Sequence, residues 1–197
     1  MSFYTGTVKE LLYSNVLVGV NKNTFTSEVT INDTATMGVQ AVVPAKYWQP
    51  NNAQSVGKGV GVIARGILSS TGTPTFTPTI RLGASQATTG PIVLGSSVGL
   101  TTISNAASQM FEIVGEFFMT AIGPAGANSS LRGIGRILCG GLASPFFYPL
   151  YAGAASPGLI ANLDWSIDNF VNVNFACSAS NAANAVQLQQ LEVYGLN

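Results

Sequence analysis

The sequence predicts an all-β fold: a two-sheet antiparallel β-sandwich, jelly-roll-like, with a short N-terminal arm over residues 1–24 and a single domain over residues 25–197. Three observations lead there. Apolar side chains recur at every second position in several runs, the period that puts them on one face of a strand. Clusters of Gly, Pro, Ser, Thr and Asn separate those runs, and these residues supply turn conformations. Helical periodicity is thin, and its best stretch, Thr7–Tyr13, amounts to one or two turns. Roughly eight short strands suit a jelly roll, and 197 residues suffice for one domain with a sizeable core.

The first two dozen residues are the least periodic, which fits an extended arm. Within them Leu11–Val20 is apolar but broken by Ser14, Asn15 and Gly19, so no secretory signal is expected. Val60, Val62, Ala64, Gly66 and Leu68 alternate with Ile63, Arg65 and Ile67, a strand apolar on both faces. Ser69–Pro74 (SSTGTP) connects it to the Thr-rich strand Thr75–Leu82, and the short link reads as a hairpin. Pro78 has no N–H for a ladder and belongs at an edge or a bulge.

Phe111, Ile113, Gly115, Phe117, Met119 and Ala121 share one face of the next strand, and Glu112, Val114, Glu116, Phe118 and Thr120 share the other. Leu131–Leu142 follows, with glycines at 133, 135, 140 and 141 that point to close backbone approach or a bend. Ile167, Asn169, Val171, Val173, Phe175 and Cys177 alternate against Asp168, Asn172 and Asn174. In Ala185–Leu196 the apolar positions change parity between Leu188 and Leu191, which requires a β-bulge around Gln189–Gln190. Turn chemistry fills Gly83–Pro91, Gly123–Ser130 and Ser178–Asn184.

Composition narrows the function. Only 8% of residues are charged, against about 25% in an ordinary domain. The 47% apolar content argues against disorder. Eight basic and eight acidic residues leave no net charge, so neither nucleic acid nor an anionic membrane is an expected partner. A monomer with so few charges is poorly guarded against self-association, so other subunits are expected to cover part of its surface. Eighteen unbroken apolar residues occur nowhere, so no spanning helix is expected. Cys139 and Cys177 fall in apolar, strand-like contexts and read as buried free thiols rather than a disulfide.

The chain has no histidine, which excludes Ser–His and Cys–His nucleophiles and His-bearing metal sites. Carboxylate pairs for glycoside chemistry could come from Glu112 with Glu116 or Asp164 with Asp168, but Arg132 and Arg136 offer the first pair simpler partners. Gly57–Gly61 lacks the spacing of a phosphate loop. No enzyme and no cofactor is therefore expected. Tyr47 and Trp48, with Trp165, could form a surface aromatic site that stacks a sugar; the favoured readings of Tyr47 and Trp48 are a loop anchor or a subunit contact. The apolar run Phe146-Phe147-Tyr148-Pro149-Leu150-Tyr151 either caps an open end of the sandwich or docks on a neighbour.

Several segments resemble small β-sandwich virion proteins of tailed bacteriophages. They are Val42-Val43-Pro44-Ala45, then Val60–Leu82 with its STGTPT turn and TIRLG strand. Further on come the long strand from Phe111, the GxGR pattern at Gly133–Arg136 and the ending at Gln187–Asn197. The resemblance runs from about Val42 onward and departs at Pro145–Pro157. It implies a structural virion component: a capsid decoration (cement) protein that bridges shell subunits, or a tail- or spike-associated receptor- or carbohydrate-binding module. It further implies localisation in the virion after assembly in the host cytoplasm, self-association with a trimer favoured, and contact with the major capsid protein. Tyr4, Leu11 and Tyr13 of the arm, and Phe146, Phe147, Tyr148 and Tyr151 of the apolar run, are the expected assembly contacts.

Overall fold

The structure, a computed structural model, describes residues 9–33, 40–48, 57–96, 98–143, 147–154 and 158–196. Its strands are β1 (Lys9–Asn15), β2 (Lys22–Asn23), β3 (Val29–Thr30), β4 (Val42–Val43), β5 (Gly59–Ser69), β6 (Thr75–Gly83) and β7 (Ile92–Gly95). They continue as β8 (Leu100–Thr101), β9 (Gln109–Ala121), β10 (Ala127–Cys139), β11 (Phe147–Tyr151), β12 (Leu159–Asp164), β13 (Asn169–Cys177) and β14 (Ala185–Leu196). A one-turn helix, α1 (Ala45–Trp48), lies between β4 and β5.

The class is all-β and antiparallel, as the alternation predicts. Hydrogen bonding does not divide the strands into two separate sheets. It runs through one path, β1-β14-β5-β9-β10-β11-β7-β6-β13-β3, with β2, β4, β8 and β12 attached at the sides. The path is thinnest where β11 meets β7, through Tyr151 and Gly95 alone. The stretches on either side of that junction meet across a common core. Phe111 of β9 packs on Phe175 of β13 with ring centroids 5.2 Å apart.

Strict alternation builds that core. From Phe111 to Met119 every odd residue of β9 is buried and every even one is partly open. Trp48, Phe76, Phe111, Phe117 and Phe175 are the largest fully buried side chains, and large aromatics dominate core energetics through the area they remove from water. The glycines of β10 make room for β7. A Cβ on Gly133 would fall 2.1 Å from the Val93 carbonyl oxygen, and one on Gly115 of β9 would fall 2.5 Å from the Leu94 side chain.

Two local expectations change. Residues 69–74 do not close a hairpin, because β5 pairs with β14 and β9 while β6 pairs with β13, β7 and β8. Leu68 and Phe76 are both fully buried, so the link carries the chain across the core from one stretch of sheet to the other. It is fastened by the Ser70 N–H to the Ala106 carbonyl (2.7 Å) and the Thr71 N–H to Asn184 Oδ1 (2.8 Å). The helical stretch expected up to Tyr13 is strand from Lys9 onward, paired with β14; ladder partners override a weak helical preference.

Other details follow the sequence closely. The register of β14 on β5 skips Gln189, as its parity change requires. Pro78 lies within β6 opposite Phe175, and on its other side falls between the residues paired by β8 and those paired by β7. Its missing N–H is thus placed at a local gap in the ladder.

Candidate assembly surface

The outward parity of β5, β9, β10 and β11 forms one surface. Register sets its rows: Arg65, Glu112, Leu138 and Phe147 lie side by side, then Ile63, Val114, Arg136 and Pro149, then Glu116, Ile134 and Tyr151. Strand parity alone puts these residues outside, because their odd or even neighbours fill the core. The surface is apolar yet open to solvent. Met110 is 67% exposed, Ile134 62% and Phe147 50%. Such clustered exposure marks an interaction surface, whereas scattered exposed apolar residues do not.

Charges are set within it. Arg65 Nε donates to Glu112 at 2.6 Å, and Arg65 Nη1 donates to Gln190 at 3.0 Å. Among the described residues, Arg132, Arg136 and Glu116 belong to no ion pair. Burial, followed by the charges of Glu116 and Glu192, raises the Tyr194 phenol above its ordinary pKa. Two shallow grooves cross the surface. One, of about 340 Å³, lies between Met110, Glu112 and Leu138; the other, of about 490 Å³, lies between Glu116, Ile134, Arg136 and Phe147.

A second apolar region follows β1. Val16, Leu17, Val18 and Val20 are each at least half exposed, while Gly19 between them is buried. The Gly19 N–H donates to the Leu188 carbonyl (2.7 Å), and Gln187 Nε2 donates to the Gly19 carbonyl (2.8 Å). The backbone is therefore fastened to β14 while the aliphatic side chains face solvent.

The expected contact residues divide. Tyr4 and Phe146 lie outside the described residues. Leu11 is 64% exposed on β1, and Tyr13 is half-buried against the core. Phe147, Tyr148 and Tyr151 belong to a strand paired with β10. Phe147 and Tyr151 line a groove of the open surface, while Tyr148 packs on the core. The sequence reading overlooked Met110, Ile134, Leu138 and the aliphatic run at 16–20. The alternation that turns the first three outward was legible, but nothing in it says which other segments pack on that face.

The surface aromatic site requires correction. Trp48 is wholly buried and Tyr47 nearly so. They stack edge to face at 5.0 Å, and Trp48 lies 6.5 Å from Phe117. The Tyr47 hydroxyl donates to the Gly59 carbonyl at 2.5 Å and accepts from the Leu196 N–H at 2.9 Å, so the pair anchors α1 to the sheet. Burial pushes the Tyr47 phenol up to about 12. Trp165 is half-buried, and its Nε1 donates to the Gly123 carbonyl at 2.9 Å.

Three of the four candidate carboxylates have partners in the framework. Glu112 faces Arg65, where Arg132 or Arg136 had been the expected partner. Asp164 accepts from the Ser166 hydroxyl and N–H and from the Gly126 N–H; these bonds hold it below the usual carboxylate pKa. Asp168 accepts from the Ala45 N–H at 2.8 Å. Cys139 and Cys177 are free and buried, as expected. Burial pushes the Cys139 thiol up to about 12 and raises Cys177 as well, which suppresses the reactive thiolate. Among the described residues no group of three or more His, Cys, Asp or Glu side chains could hold a metal ion.

No family model matches the chain, and no curated protein matches it in sequence.

Proposed function

We propose that this chain is a non-enzymatic structural subunit of a tailed-phage particle, most specifically a capsid decoration protein that stabilises the head by bridging shell subunits. The observation that carries the reading is the open, apolar outer surface of β9, β10 and β11 around Met110, Ile134, Leu138 and Phe147. Burying such a surface against a neighbour gains roughly 25 cal/mol per Å² before association costs. The phage context rests on the resemblance of residues 42–45, 60–83, 111–123, 131–136 and 187–197. The competing reading, a receptor- or carbohydrate-binding module of a tail or spike, needs Tyr47, Trp48 and Trp165 around one groove, and Trp48 is wholly buried.

The test adds purified protein to phage heads that lack it and measures occupancy by sedimentation. Wild type should saturate the shell, and Ile134→Asp should lower occupancy about tenfold or more while leaving the fold intact. Equal occupancy by both would contradict the assignment of this surface.

A further inference from the structure

The open surface carries four of its charges in two adjacent columns. Glu112 and Glu116 stand on β9, and Arg132 and Arg136 stand on β10. Arg65 neutralises Glu112. Glu116 lies opposite Ile134 in register, so Arg132 and Arg136 flank it diagonally, at roughly 7–8 Å between backbones, and neither guanidinium pairs with it. One acidic and one basic column, side by side in an apolar surround, form a self-complementary pattern.

We infer that two copies of this chain dock face to face through the outer surface of β9 and β10, about a two-fold axis parallel to the strands. The inference rests on the assembly role proposed above and names a second copy of this chain as the neighbour that covers this surface. That axis lays β9 of one copy over β10 of the other. Glu116 of each then reaches Arg132 or Arg136 of its partner, giving two equivalent ion pairs, as an isologous interface requires. Met110, Val114, Ile134 and Leu138 fill the space between. Laying β9 over β9 would oppose carboxylate to carboxylate and guanidinium to guanidinium, which is strongly disfavoured.

Size and competition agree. β9 and β10, open over roughly 25 Å each, with the shorter open stretches of β5 and β11 beside them about 4.8 Å apart, give on the order of 400 Å² per copy. The total of about 800 Å² is that of a weak, reversible contact. Zero net charge leaves no long-range repulsion between copies. Edge-to-edge pairing through β1 is guarded against by Lys9 and by a bulge between Leu11 and Tyr13, devices that blunt sheet edges.

Sedimentation equilibrium over a concentration series provides the test. Wild type should show a reversible monomer–dimer equilibrium. Glu116→Arg alone, or Arg132→Glu with Arg136→Glu, should weaken it on the order of tenfold or more. The triple exchange should restore it, because it reverses both columns together. A trimer, or a triple exchange that stays monomeric, would overturn the two-fold contact. A monomeric wild type would also overturn it, and the head-binding assay then separates the two ideas. Loss of binding by Ile134→Asp would leave the assembly role standing, and retention would overturn both.

Discussion

The outer faces of the two stretches of sheet are opposites. On β6 and β13 the outward residues are polar, yet Thr79, Asn172 and Asn174 are buried. On β9 and β10 apolar and charged residues are interspersed, and the apolar Met110, Ile134 and Leu138 are exposed. The chain covers the first face with itself. Glu28 accepts from Arg81 Nε and Nη2 (both 2.8 Å), from Asn174 Nδ2 (2.9 Å) and from the Thr79 hydroxyl. Asn32 donates to the Val171 carbonyl and accepts from the Val173 N–H, each at 2.8 Å, and its own carbonyl accepts from Gln86. Residues 25–33 thus dock on a polar face through hydrogen bonds that fix their register, whereas among the described residues the face of β9 and β10 receives no such cover. Polarity, read as a sign of solvent, would have ranked the two faces the wrong way round. The useful sign is whether another part of the same chain supplies the partners.

The framework common to both faces should give the largest effect. Trp48→Ala removes a fully buried indole and should lower stability by about 3–5 kcal/mol in a urea titration; a change below about 1 kcal/mol would place the ring outside the core. The covered face comes next. Glu28→Ala strands Arg81, Thr79 and Asn174 under the segment that covers them, at a cost of about 2–3 kcal/mol. Glu28 also sets a pH dependence. Burial raises its pKa, but the hydrogen bonds from Arg81 and Thr79, the Arg81 charge and the Asn174 bond together bring it below the ordinary 4.5. A depressed folded-state pKa contributes stability above the unfolded value and loses it as pH falls through the folded one. Wild type should therefore lose stability on acidification below about pH 4.5, and Glu28→Gln should flatten that part of the profile. An unchanged profile would deny Glu28 this role. The open face should give the smallest effect on folding: Ile134→Asp should shift stability by no more than about 0.5 kcal/mol while abolishing association.

The sequence disclosed what period two controls. The inward set of β9, the bulge at Gln189 and the two buried thiols follow from parity and apolar context. It did not disclose long-range pairing. The link at 69–74 resembles a hairpin locally, and only the partners of β5 and β6, far along the chain, make it a crossing. Short strands such as β7 and β12 have too few residues to display a period. Asn172 and Asn174 look like a solvated parity because their partners, Ser85 and Glu28, lie 87 and 146 residues away along the chain. The candidate surface was half legible: Phe147 and Tyr151 were singled out as aromatic, while Met110, Ile134 and Leu138 were outward positions of strands whose neighbours were unknown.

The central claim, that the apolar face is the one a neighbour covers, can be measured within a single strand. Met110 is 67% exposed on that face, and Met119, at the buried parity of the same strand, is 1% exposed. Peroxide oxidation followed by mass spectrometry, on dilute protein and on the assembled form, reads both at once. The account predicts fast oxidation of Met110 in dilute protein, strong protection on assembly, and a slow, constant rate at Met119. Equal oxidation of Met110 in the two states would contradict it.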